Sequence, residues 1–135
     1  MMIPLIDRLQ SFLTLERQTG VMLDPASVTA LAVAAVVFYR GFALLEEHWV
    51  RLIKNADESP TEDVDEDIEL TDSEWAIIRP LFLLYLERET AYLLEASRGS
   101  GVDVYGRSVA EISGDIATVE SEMAHRAFCY PIVSV

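Results

Sequence analysis

The residues that could do chemistry in this 135-residue chain are few and lie far apart. His48 follows two glutamates, and His125 precedes Arg126 near the end of a predicted helix, where the helix dipole already accounts for a histidine. A metal site or an acid–base pair requires a second ligand or partner at a suitable spacing, and neither histidine has one. We therefore assign no catalytic or metal-binding role to either residue.

Three alternating carboxylates, Asp63, Asp65 and Asp67, match the opening of a calcium-binding loop, because such loops donate side-chain oxygens at alternate positions. The match then fails, since Ile68 stands where an EF-hand loop that starts at Asp63 requires glycine. We interpret the stretch as a solvated loop, and loose binding of a divalent ion is the alternative.

The remaining reactive groups fit no catalytic motif. Cys129 is the single cysteine and has no histidine or aspartate patterned near it, so a nucleophilic role is not indicated. The glycines at positions 99, 101 and 106 match neither the dinucleotide-binding nor the P-loop spacing. The sequence therefore predicts a protein that is not an enzyme and has no cofactor.

The charge of the chain argues against direct binding to DNA or RNA. Ten Lys and Arg stand against 23 Asp and Glu, giving a net charge of −13, whereas nucleic-acid affinity comes largely from basic side chains that displace counterions. Ten of the acids lie between Lys54 and Arg79, so the acidity is local. With 51% hydrophobic residues, the rest of the chain has enough apolar material to fold as one domain.

The cellular setting is predicted from three further features. A single cysteine fits a reducing compartment, and the first residues lack the basic start and long apolar run of a signal peptide, so we expect no export. The longest uncharged run, Pro25 to Tyr39, falls short of the roughly 20 residues that a membrane-spanning helix needs. We expect it to be a buried helix.

Apolar spacing predicts an all-α fold, a small bundle of about four helices without a sheet of its own. The helices are expected near residues 4–18, 25–55, 72–98 and 108–126. A proline at position 80 is expected to kink the third helix, and the acidic segment 56–70 is expected to be a mobile, solvated loop.

Capping signals mark the starts of three of these helices. Asp24 precedes a first-turn proline, and the pairs Thr71 with Glu74 and Ser108 with Glu111 have the spacing of capping boxes. Behind the last of these boxes lies the clearest apolar stripe in the chain, formed by Val109, Ile112, Ile116, Val119 and Met123.

The last residues differ in character from the helices. We divide the chain into a helical domain, residues 1–127, and an apolar, β-branched segment, residues 128–135, which should be extended. Two readings of this tail stay open. It packs on its own helices, or it docks on another subunit or partner as an added strand.

Several stretches carry a family resemblance: Glu74-Trp75, Arg79 to Glu89, Leu94 to Arg98, Gly106 to Ser108 and Arg126 to Pro131. Together they resemble the head-to-tail connector, or head completion, proteins of tailed bacteriophages. The resemblance covers roughly half the chain, from Thr71 onward, and is weaker from Pro4 to Lys54.

This resemblance implies a structural virion protein at the neck, made in the host cytoplasm, with no membrane association. Such adaptors form a ring, commonly of about twelve copies, between the portal and the tail or collar, and genomic DNA passes through the ring without specific binding. An extended C-terminal segment commonly inserts into the portal. Here that role would fall to Ala127, Phe128, Cys129, Tyr130, Pro131, Ile132, Val133, Ser134 and Val135.

An acidic regulator that mimics nucleic acid and occupies a basic partner protein is the alternative function. The density of Asp and Glu favours it, but ten of the acids lie in one segment instead of along rigid helices. The size of the purified assembly separates the two functions, because the adaptor predicts a large ring and the regulator predicts a monomer or dimer.

Overall fold

A computed structural model describes residues 2–16, 23–42, 45, 64–96 and 107–128, and the elements below lie within these ranges. In chain order they are β1 (Met2–Pro4), α1 (Leu5–Ser11), a π-helical turn (Phe12–Glu16), α2 (Pro25–Arg40), β2 (Glu69–Thr71), α3 (Asp72–Ala96) and α4 (Val109–Phe128). The described part of the chain is thus mostly helical, and the prediction of a small helical bundle is confirmed.

The first predicted helix is present as α1 and the π-helical turn that continues it. Leu5, Leu9 and Phe12 are buried at steps of four and three residues, which is the apolar spacing of a helix that packs on one face. The predicted end of this helix, residues 17–18, lies outside the described residues. The Phe12 and Phe82 rings pack in a T-shaped arrangement with their centres 5.4 Å apart, so this segment packs against α3.

Helix α2 begins as predicted at the Asp24 cap. The Asp24 carboxylate accepts a hydrogen bond from the Ser27 backbone N–H at 3.2 Å, and Pro25 occupies the first turn. Hydrogen bonds from Ser27, through its side chain and then its backbone, hold the pKa of the Asp24 carboxyl below its ordinary value. The cap therefore works with an ionised aspartate near neutral pH.

The prediction that this helix continues to residue 55 is wrong at Arg40, where α2 ends. The N–H groups of Gly41 and Phe42 donate to the carbonyls of Phe38 and Tyr39, a tighter three-residue pattern that closes the helix in a turn. Gly41 supports this ending, because glycine is a poor helix former. Residues 46–55 lie outside the described residues.

The prediction of a fold without a sheet is also wrong. Strands β1 and β2 pair in an antiparallel two-stranded sheet, with Ile3 opposite Leu70. The pairing continues beyond the strands, since the Leu5 N–H donates to the Ile68 carbonyl at 2.8 Å. Strands of three residues are too short to show an alternating pattern in the sequence.

This sheet corrects the prediction of a solvated acidic loop at residues 56–70. Ile68 and Leu70 are buried in the core, with 4% and 0% of their surface exposed. Glu66 and Asp67 form an exposed turn just before them. The part of the predicted loop from Ile68 onward is therefore a structural element, and residues 56–63 lie outside the described residues.

A complete capping box starts α3 and confirms the prediction made from Thr71 and Glu74. The Thr71 N–H donates to the Glu74 carboxylate at 2.9 Å, and the Glu74 N–H donates to the Thr71 hydroxyl at 3.1 Å. Glu74 is buried, with 5% exposure. Helix α3 continues through Pro80 as far as Ala96, and residues 97–98 lie outside the described residues.

Replacing Thr71 with Ala should lower the free energy of unfolding by about 1 kcal/mol, because the Glu74 N–H loses its acceptor. Urea denaturation followed by circular dichroism measures this change. Thr118→Ala is the matched control, since the Thr118 hydroxyl donates to Gly114 within an exposed stretch of α4 and caps nothing. Equal stability of the two variants would contradict a structural role for the box.

Helix α4 confirms the strongest apolar stripe in the sequence. Ile112, Ile116 and Met123 are buried, and Val109 and Val119 pack against the same core. The Ser108 hydroxyl accepts from the Glu111 N–H at 3.3 Å, which is one of the two hydrogen bonds of a capping box. The Glu95 carboxylate accepts the neighbouring Val109 N–H. The helix extends to Phe128, two residues beyond the predicted end.

The core lies between α3 and its neighbours α2 and α4, with α1 and the sheet closing one end. Its largest fully buried side chains are Leu5, Leu9, Val28, Val36, Leu45, Leu70, Ile78, Leu81, Phe82, Ile112 and Met123. Among the described residues, no helix combines the length and the apolar character needed to cross a membrane.

Candidate functional site

The C-terminal segment was the predicted site, and the structure describes its first two residues. Ala127 and Phe128 belong to the last turn of α4. Ala127 thus lies in the helical domain, as predicted, and the prediction that Phe128 is extended is wrong. The helical spacing of α4 persists this far, which moves the start of the tail to residue 129. The other site residues, Cys129, Tyr130, Pro131, Ile132, Val133, Ser134 and Val135, lie outside the described residues.

The direction of α4 fixes where this tail starts. The Val109 N–H meets the Glu95 carboxylate at one end of the helix pair, and the Tyr85 hydroxyl donates to Glu120 at 2.9 Å further along. Helices α3 and α4 are therefore antiparallel. From Glu120 to Phe128 the helix advances about 12 Å at 1.5 Å per residue, toward the N-terminal half of α3. The tail thus leaves from the end of the bundle at which α3 begins.

Arg107 ties α3 and α4 together at the opposite end. Its guanidinium holds both oxygens of Glu87 at 2.8 and 2.9 Å and also contacts Asp115. This two-pronged pairing with Glu87, and then the bond to Asp115, raises the pKa of Arg107 above its ordinary value. The contact is exposed to solvent, so its main effect is to set the geometry of the two helices.

The Tyr85 hydroxyl forms the second polar tie between α3 and α4. Burial, followed by the hydrogen bond to the Glu120 carboxylate, raises the pKa of Tyr85 above its ordinary value. The Arg88 guanidinium lies over the Tyr85 ring, 5.2 Å from its centre. The phenol therefore stays protonated and acts as a hydrogen-bond donor, which is a structural role.

A groove between α1 and the start of α3 holds a largely enclosed arginine, Arg8. The Arg8 side chain is 10% exposed and donates to the Leu70 carbonyl at 2.9 Å and to Asp72 at 3.0 Å. Its guanidinium also lies 5.9 Å from the centre of the Trp75 ring. Arg8 thereby connects α1, β2 and α3.

Two depressions of about 250 and 470 Å³ adjoin Trp75. Arg8, Trp75 and Arg79 line both of them, with Asp7 in the first and Asp72 in the second. The two arginines are balanced by these two aspartates. Among the described residues that line these depressions, no hydrogen bond pairs a nucleophile with a base.

The acidic residues considered for calcium do not converge in the part of the chain that the structure describes. The Asp65 carboxylate accepts from the Asp67 N–H at 3.0 Å, which is a local turn. Asp63 lies outside the described residues, as do His48 and Cys129, and His125 is exposed. Across the described ranges, no three His, Cys, Asp or Glu side chains come together as a possible metal site.

Sequence reasoning missed one feature of the described surface. Its exposed large apolar residues fall into two pairs, Val37 with Phe42 at the end of α2 and Tyr92 with Leu93 in α3. The sequence does contain a signal for the exposure of the α3 pair, which is its position relative to the buried residues of that helix. Tyr92 and Leu93 stand between the core residues Ala91 and Leu94, so one helix face cannot bury all four.

No family model, curated protein or solved structure matches this chain in the comparisons with known proteins.

Proposed function

We propose that the chain is a head-to-tail adaptor of a tailed-bacteriophage virion. In this proposal copies of the chain form a ring at the neck that joins the portal to the tail or collar and continues the DNA channel. The protein is made in the host cytoplasm and performs no catalytic step. The proposal extends the resemblance of residues 71–131 to head completion proteins.

The observation that best supports this proposal is the way α4 ends. Helix α4 is tied to α3 through Tyr85 and Arg107, and it carries the chain back to the end of the bundle at which α3 begins. Residues 129–135 follow directly and can reach about 23 Å at roughly 3.3 Å each. In this proposal the helical domain donates the apolar segment to a partner.

The side chains of the segment suit docking on an apolar surface. Tyr130, Ile132 and Val133 are the large anchors, and Pro131 presets an extended backbone while removing one strand-pairing donor. The portal is the partner that the resemblance implies. At the portal, main-chain hydrogen bonds would supply the affinity, and alternate side chains would supply the specificity.

The charge of the chain is consistent with a DNA channel. A net charge of −13 on each copy repels phosphates, so genomic DNA would pass through the ring without being held. The exposed face of α4 contributes Glu111, Asp115 and Glu122 to this acidity.

Portal binding by the tail is the decisive test. Portal-bearing heads that lack this chain are mixed with the parent, with a chain ending at Phe128, and with a full-length variant carrying Tyr130→Ser, Ile132→Ser and Val133→Ser. Ser134→Ala is the matched control. We expect the shortened chain and the triple serine variant each to lose at least about 100-fold in affinity for the portal, because three apolar anchors are removed. The Ser134→Ala control should bind like the parent.

Circular dichroism of each variant checks that the helices remain, as expected for a segment that follows the last helix. Binding of the shortened chain with parental affinity would overturn the proposed role of the tail. Purification of the parent as a monomer bound to a basic DNA-binding protein would instead support the regulator that mimics nucleic acid.

A further inference from the structure

We draw no further inference here: the strongest candidate, the groove between α1 and the start of α3 that Arg8, Trp75 and Arg79 line, carries nothing, because the Arg8 guanidinium already donates to the Leu70 carbonyl and to Asp72 within its own chain and nothing among the described residues shows which ligand or partner would occupy the groove.

Discussion

Replacing Ile116 with Asp is expected to unfold most of the protein. Ile116 is 3% exposed in the apolar stripe of α4, so the change removes a large side chain from the core and places a charge there without a partner. The combined cost should be at least about 4 kcal/mol, which is a large part of the roughly 5–15 kcal/mol that stabilises a typical domain. Circular dichroism and urea denaturation measure the loss.

Ala117→Asp is the matched control for this change, because it introduces the same residue one position further along α4 on the exposed side. It should cost no more than about 0.7 kcal/mol, the difference in helix propensity. Similar stability of the two variants would mean that the buried face of α4 has been assigned to the wrong side of the helix.

Replacing Leu70 with Ala should be the second most damaging single change that we consider. Leu70 is fully buried in β2 and pairs with Ile3 across the sheet. Leucine-to-alanine changes in cores cost about 2–5 kcal/mol, since the transfer energy is lost and a cavity remains. We expect a loss of about 3 kcal/mol in the free energy of unfolding, measured by urea denaturation.

Glu66→Ala provides the comparison, because Glu66 lies in the exposed turn before β2 and contributes its backbone carbonyl, which the substitution keeps, to Ile6. Its effect should stay within about 0.5 kcal/mol. If Leu70→Ala were equally mild, the segment before α3 would behave as the solvated loop that its composition suggests.

The helices could be predicted from the sequence because their signals are local. Thr71 and Glu74 are three residues apart, and the hydrogen bonds between them are those that the capping-box spacing implies. The stripe from Val109 to Met123 likewise specifies its own buried face. Such patterns need no knowledge of the partner element, so they carry over directly from sequence to structure.

The sheet could not be predicted, because its signal is shared between distant parts of the chain. Ile3 and Leu70 become partners only after folding, and acidic residues around Leu70 give its segment a solvated composition. The end of α2 was missed for a related reason. Apolar residues continue past Gly41 at helical spacing, while the turn depends on backbone hydrogen bonds to Phe38 and Tyr39.

The candidate site was only partly accessible to sequence reasoning. The apolar character of residues 129–135 was visible, but the helical state of Phe128 was not, because an aromatic residue there matches the composition of the tail. The exposed pairs on α2 and α3 depend on which faces other helices cover. That information is tertiary, and a hydrophobic residue in sequence does not by itself say whether it is buried.

The pairing of β1 with β2 has a consequence for the order of events on the ribosome. Met2 to Pro4 are synthesised before their partners, Glu69 to Thr71, which come more than sixty residues later. Strand β1 therefore remains unpaired while about half of the chain is synthesised. Leu5, whose N–H donates to the Ile68 carbonyl in the folded chain, also lacks that acceptor during the interval and stays accessible to chaperones.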